Sequence, residues 1–222
     1  MNITIVSLYY APEDFRITDI AKALAADGHR VRVITGLPDY ANPYIPKEYR
    51  FFRRRREVLD GVSVTRIPII ARRKGLFFRV LNYLSFVVSG WIYTRFCSKK
   101  TDIVISYETS PVTQILPAIS LANRAGVPLL IYCLDIWPAC LKAWNVTETH
   151  PLFRLMHRVS RAIYRKGDLV AISSPAFRKY LRDYNGVDEE KIVDLPQHAE
   201  DIYADIAGRF ERCCNCPPKG QQ

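Results

Sequence analysis

Short runs of β-branched and aromatic residues recur along the chain, and between them the apolar positions change to helical spacing. Ile3–Leu8, Val31–Thr35, Ile103–Tyr107, Leu129–Cys133 and Leu169–Ser173 read as buried parallel strands. A shorter run, Ile192–Leu195, reads as another, and Gly61–Ile67 alternates as a half-buried strand. Helical spacing predicts helices over Phe15–Asp27, 76–96, Val112–Arg124, Leu152–Arg165 and Pro175–Tyr184. In the first, Ile17, Ile20, Ala21 and Leu24 face inward, and Gly28 stops the helix. In the fourth, Leu152, Leu155, Met156, Val159 and Ile163 share one face, while Arg154, Arg158, Arg161 and Arg165 take the other. This alternation predicts an α/β fold, a Rossmann-like doubly wound parallel sheet with helices on both faces. Leu37–Asp60 is a long connection with Pro38, Pro43 and Pro46. Residues 1–203 form the expected domain. Residues 204–222 have no apolar period and read as a disordered tail.

The segment 76–96 needs its own test, because it is mostly apolar. Fifteen residues separate Arg79 from Arg95, and Asn82 lies among them. A membrane span needs roughly 20 apolar residues. Arg79, Asn82, Ser85 and Ser89 recur at near-helical spacing as one polar stripe. The expectation is a helix packed on the sheet or lying in a membrane interface.

Charge changes the picture locally. The formal net charge is +10. Residues 47–79 alone hold eleven Lys/Arg against Glu48, Glu57 and Asp60. Such a patch implies an anionic partner or a solvated loop. Arg53, Arg54, Arg55, Arg56, Arg72, Arg73 and Lys74 are the residues expected to face an anionic inner-membrane surface. The basic residues lack interleaved base-stacking aromatics in a recognised module, so no nucleic-acid partner is expected. Cys97, Cys133 and Cys140 read as reduced core thiols. Cys213, Cys214 and Cys216 crowd together without a second ligand cluster, so no metal site is expected. Asn2–Tyr10 lead directly into a strand, which makes a cytoplasmic chain the expectation.

In open α/β sheets ligands bind beyond the carboxyl ends of the strands. Tyr10, Glu13 and Arg16 follow the first strand there, and Asp39 and Tyr40 the second. Glu108, Thr109 and Ser110 follow Ile103–Tyr107; Asp135 and Trp137 follow Leu129–Cys133; Ser173 and Ser174 close the next strand. Carboxylates and hydroxyls around aromatic rings suit carbohydrate, whose hydroxyls need donors and acceptors and whose CH faces stack on rings. Asp14, Ser110 and Ser174 each precede a helix and could instead cap it. The first turn, Tyr10-Ala11-Pro12-Glu13-Asp14-Phe15-Arg16, has no G-x-G-x-x-G, which disfavours a standard dinucleotide site. No Walker loop, H-E-x-x-H or G-x-S-x-G occurs. His29, His150, His157 and His198 lie far apart.

Four stretches carry a resemblance: Gly28-His29 with Val31-x-Val33-Ile34-Thr35-Gly36-Leu37-Pro38-Asp39-Tyr40; Thr109-Ser110-Pro111-Val112; Cys133-Leu134-Asp135-Ile136-Trp137-Pro138; and Lys191-Ile192-Val193-Asp194-Leu195-Pro196. Together they resemble the N-terminal domain of family-4-like glycosyltransferases of the GT-B fold, over residues 2 to 203. The most similar branch is bacterial and builds O-antigen and capsule repeat units, including transferases of N-acetyl-fucosamine. The resemblance implies a retaining, metal-free hexosyl or N-acetyl-aminodeoxyhexosyl transferase built as two domains. The N-terminal half would hold a lipid-linked sugar acceptor at the inner membrane. The missing donor-binding domain would hold the nucleotide-sugar, which is a substrate; no cofactor is implied. Asp135 carries over as the catalytic residue that meets a sugar hydroxyl. Glu108, Thr109, Ser110, Trp137, Asp39 and Tyr40 would bind the acceptor, with Glu13 and Arg16 near the donor diphosphate. Many relatives have His-Asp where Leu134-Asp135 stands, and Gly-Gly where Glu13-Asp14 stands. The stretch from Gly208 to Cys216 resembles nothing in the family, so a truncated, inactive chain is expected. A non-catalytic membrane-surface or partner-binding module is the alternative.

Overall fold

The computed structural model describes residues 1–41, 44–51 and 53–197. The strands are β1 (Asn2–Ser7), β2 (Arg30–Thr35), β3 (Arg56–Leu59), β4 (Val62–Arg66), β5 (Ile103–Glu108), β6 (Leu129–Cys133), β7 (Leu169–Ile172) and β8 (Ile192–Asp194). The helices are α1 (Ile17–Ala26), α2 (Leu76–Phe96), α3 (Leu116–Ala125), α4 (Pro151–Tyr164) and α5 (Ala176–Asp183). The strands form one sheet in the order β3-β4-β2-β1-β5-β6-β7-β8. All neighbours run parallel except the β3–β4 hairpin. From β1 the chain moves outward through β2 and β4. It then crosses back through α2 to β5 and moves the other way. The switch point therefore lies between β1 and β5, where a crevice for ligand opens at the carboxyl edge.

Alternation sends successive strand residues to opposite faces. Ile3, Ile5, Val31, Val33, Val62 and Val64 form one core with Ile17 and Ala21 of α1. Val6, Ile34, Val104, Ile131, Val170 and Ile172 form the other, with Phe86 of α2, Leu121 of α3, Ile163 of α4 and Leu181 of α5. Burying each such aliphatic side chain contributes roughly 2 kcal/mol.

Strand β3 was not expected inside the long connection. It forms because Asp60 and Gly61, both at positive φ (49° and 80°), close a tight hairpin onto β4. Across that hairpin Glu57 accepts from Nε and Nη2 of the buried Arg66, at 2.9 and 2.6 Å. One residue of the basic window is thus neutralised inside the fold.

Helix α2 has the expected ends, and its polar stripe faces inward. Asn82, Phe86, Gly90 and Thr94, four residues apart, are its buried residues. Leu76, Phe77, Val80, Leu84, Val88, Trp91, Ile92 and Phe96 are exposed. Gly90 permits this, since a Cβ there would sit 2.7 Å from Pro117 Cγ on α3. The polar side is satisfied internally: Ile70 N–H donates to Ser85 Oγ (2.9 Å), and the Ser85 and Ser89 hydroxyls donate to carbonyls of the preceding turn.

In α4 the packed residues are Phe153, Ser160, Ile163 and Tyr164, whereas Leu152 and Leu155 are exposed. Ser160 tolerates burial by donating to Met156 O at 2.6 Å. The arginines Arg154, Arg158, Arg161 and Arg165 face outward as expected. The tail at 204–222, with Cys213, Cys214 and Cys216, lies outside the described residues.

Candidate functional site

The carboxyl edge gathers two groups of polar residues. The first lies beyond β1 and β2, around a cavity of about 410 Å³ lined by Pro12, Glu13, Phe15, Asp39, Tyr40 and Pro46 among others. Asp39 is buried there, 2% exposed. Its Oδ2 accepts from Arg72 N–H and from Asn82 Nδ2, each at 2.7 Å. Asn82 Nδ2 also donates to Ile70 O at 2.7 Å, so Asp39 ties the β2 loop to α2. Burial pushes the Asp39 carboxyl up to about 6, against the donors that favour its anion. Glu13 turns back on the same loop, where its carboxylate accepts from Tyr40 N–H. Burial raises it, and the backbone N–H groups of Tyr40, Ala41 and Asp39 oppose that rise.

Arg72 was expected to face a membrane. The structure turns it inward instead: Nη1 donates to Tyr9 Oη at 3.2 Å, and the guanidinium lies 5.1 Å from the centre of the Tyr40 ring. Its planar cation finds aromatic faces here that solvent does not offer. Arg55 is likewise partly buried, with Nη1 3.5 Å from Arg66 O. Arg53, Arg54, Arg56, Arg73 and Lys74 are exposed.

The second group lies beyond β5 and β6. Trp137 Nε1 donates to Ser110 Oγ at 3.0 Å. The Ser110 hydroxyl also meets the Asp135 carboxylate, as does the Ile136 N–H. Asp135 is partly exposed, and burial raises its carboxyl above the ordinary range. Ser110 is thus a bridge, not a helix cap, and the helices after Asp14 and Ser174 also start without a side-chain cap. The buried Gln114, turned so that its oxygen faces them, accepts from Thr109 N–H (2.7 Å) and Ser110 N–H (2.9 Å).

Glu108 was expected to bind acceptor directly, but it is wholly buried beneath this floor. Tyr164 Oη donates to Asp135 O at 3.2 Å and lies 3.5 Å from Glu108 Oε2. Glu108 Oε1 has no hydrogen-bond partner among the described residues. Burial first, then the Asp135 charge, raise the Glu108 carboxyl well above its ordinary range. It is a buried strut under the Asp135 loop, without exposed surface for a ligand.

Tyr83 on α2 connects the two groups. Burial raises its hydroxyl, and the charges of Arg72, Arg79 and Asp135 all reach it. Arg16 stands on the far side, 3.6 Å from Asp19, where its charge opposes the rise that burial gives the Tyr107 hydroxyl. Asp135, Ser110, Trp137, Tyr83, Tyr40 and Arg72 therefore share one edge with mixed donors, acceptors and rings. Tyr83, Asn82 and Gln114 were missed as site residues, and Arg72 was assigned to the membrane face instead of the cleft. The polar stripe at Asn82 was the only available signal.

Residues 15–197 match the model of the glycosyl transferase 4-like domain. The chain belongs to that family. The glycosyl transferase 4-like domain has the Rossmann-like half-fold of GT-B enzymes, as the structural comparisons show. It superposes on a glycosyltransferase from Rickettsia africae ESF-5 with a TM-score of 0.50 and 17% identity, over 96% of this chain and 48% of that one. HepE of Anabaena, solved with UDP and glucose, gives 0.52 and 13%, over 95% of this chain and 50% of that one. An α,α-trehalose-phosphate synthase (UDP-forming) from Burkholderia vietnamiensis gives 0.53 and 13%, over 94% and 50%. The glycosyl transferase 4-like domain thus spans about half the length of these proteins. No curated protein sequence matches it.

Proposed function

We propose that this domain is the acceptor-holding half of a retaining, metal-free glycosyltransferase in cell-surface polysaccharide synthesis. The acceptor is a lipid-linked sugar at the cytoplasmic side of the inner membrane. The sugar donor, a nucleotide-sugar carrying a hexose or N-acetyl-aminodeoxyhexose, is held by a donor-binding domain. Family membership supports glycosyl transfer. The observation that carries the acceptor role is the Asp135–Ser110–Trp137 cluster, a part-exposed carboxylate braced by a hydroxyl beside an indole ring. A carboxylate so placed accepts hydrogen bonds from sugar hydroxyls, while the ring covers a CH face. Arg72 supplies positive charge at the cleft for a diphosphate. Stabilising the leaving diphosphate is the work of the donor side.

The test is binding of a fluorescent polyprenyl-diphosphate-linked sugar, in detergent, to the 222-residue chain. Asp135→Asn is expected to weaken it by about tenfold, equivalent to about 1.4 kcal/mol, with Tm unchanged. A variant that is less stable yet binds equally well would make Asp135 a structural cap. No binding of the lipid-linked sugar by the folded wild type would favour a partner-binding module without acceptor chemistry.

A further inference from the structure

We infer that α2 is an in-plane membrane anchor whose outward face inserts among anionic phospholipids. Three observations carry this. First, the helix is built inside out. Its buried positions include Asn82, Gly90 and Thr94, while Phe77, Leu84, Val88 and Trp91 are exposed, Phe77 by 69%. Only 17% of its most apolar stretch is buried, although it is long and apolar enough to cross a membrane. A soluble core helix has the reverse arrangement. Second, the apolar surface continues sideways. A groove of about 830 Å³ opens between α2 and α3, where Val88 and Trp91 face Leu116 and Ile119. Third, the charge along this stretch of the chain has one sign. From Gly61 to Thr101 the chain has eight Lys/Arg and no Asp or Glu. Arg73 and Lys74 stand exposed before the helix, and Arg95, Lys99 and Lys100 at its other end.

The same charges choose the occupant. A second copy of the chain, laid against α2 in either direction, would bring cations against cations at both ends. An anionic lipid surface instead neutralises both ends while its acyl boundary receives the apolar middle. Spanning is excluded by packing, because Phe86 belongs to the core, Gly90 abuts Pro117, and Asn82 is bonded to Asp39. Arg95, 5.5 Å from the Trp91 ring, sits where a cation reaches headgroups while the indole enters the interface. The helix begins at the carboxyl edge, so docking would lay the cleft mouth against the bilayer. That consequence rests on the acceptor reading above; docking itself does not.

The test is flotation of the full chain with vesicles of equimolar phosphatidylglycerol and phosphatidylcholine, which contain no sugar lipid. Wild type is expected to float with these and not with pure phosphatidylcholine. Removing exposed cations, as in R73S/K74S, is expected to weaken binding by about fivefold per cation and to flatten its salt dependence. F77S/L84S/W91S changes only exposed positions and should keep the folded circular dichroism spectrum while losing flotation. Asp135→Asn should float like wild type, so failure of the acceptor reading stays separable. Equal flotation of the triple variant would overturn the proposal. So would a wild-type dimer in vesicle-free buffer that the triple variant makes monomeric, with no flotation; that would assign the face to a second copy.

Discussion

Asp39 and Glu108 are carboxylates at the same edge of one sheet, both almost without exposure, yet they are held in opposite ways. Asp39 receives two N–H donors on one oxygen and has the Arg72 guanidinium nearby. Glu108 lies 3.5 Å from the Tyr164 phenol, and the Asp135 carboxylate adds to its rise while the Cys133 thiol, the Asp135 backbone and that phenol oppose it. Burial raises both, Asp39 to about 6 and Glu108 well above its ordinary range. Burial sets the direction of both shifts, and the donors limit how far each goes. The consequence is a division of labour. Asp39 is an anionic clasp between the β2 loop and α2. Glu108 is a buried support beneath Asp135.

The largest expected effect tests the buried support. A carboxyl raised in the fold binds its proton more tightly there than in the unfolded chain. Its contribution is complete below the ordinary value of 4.5 and is lost as pH rises toward the folded value. Glu108→Gln keeps the volume and removes the titration. The variant should therefore gain on wild type by about 1.4 kcal/mol per pH unit, from just above pH 5 onward, in urea unfolding. A difference independent of pH would mean that Glu108 is ionised in the fold, and the contrast with Asp39 would collapse.

Asp39→Asn should show the same sign with a ceiling. Wild-type stability from this group is present below the ordinary 3.8 and is lost as pH rises through about 6. The variant should gain on wild type between about pH 4 and 6, by about 3 kcal/mol at most, and then level off. Paired pH series on the two variants separate a plateau from a continuing slope. Two plateaus at the same pH would show that the donors on Asp39 make no difference.

The sequence pattern located this edge well and its interior poorly. Strand ends can be read because Pro12, Pro38, Pro111 and Pro138 interrupt apolar runs, and this brought Ser110, Asp135 and Trp137 to one place. Periodicity gave α2 its ends, Leu76 and Phe96, because it reports which residues share a face. It does not report which face is inside. That depended on Gly90 fitting against Pro117 and on Asn82 reaching Asp39, both contacts far apart in sequence. Glu108 looked like a rim residue because it ends β5; the phenol of Tyr164, 56 residues away, shows that it points below the floor. Long cations were misread for a similar reason. Arg72 and Arg55 count as charge in a sequence, yet their stems let them fold back onto rings and carbonyls. Strand β3 was legible in principle, since Asp60-Gly61 is a hairpin signal, but the arginine run before it suggested a loop.

The smallest effect isolates the clasp itself. Asn82 donates to Asp39 and to Ile70 O from a fully buried position. Asn82→Ala removes both bonds. A bond to an ionised acceptor is worth about 1 kcal/mol more than one to a neutral acceptor. The cost of Asn82→Ala should therefore be greater at pH 7, where Asp39 is charged, than at pH 4, by about that amount. The same substitution made on Asp39→Asn should lose this pH dependence, since no charge remains to be stabilised. A double-mutant cycle at the two pH values measures the coupling directly. A coupling that does not change with pH would show that Asn82 merely fills space against the β2 loop. In that case the anionic state of Asp39 would owe its stability to the Arg72 N–H and the guanidinium above it, and the link between cleft and α2 would be one of shape instead of charge.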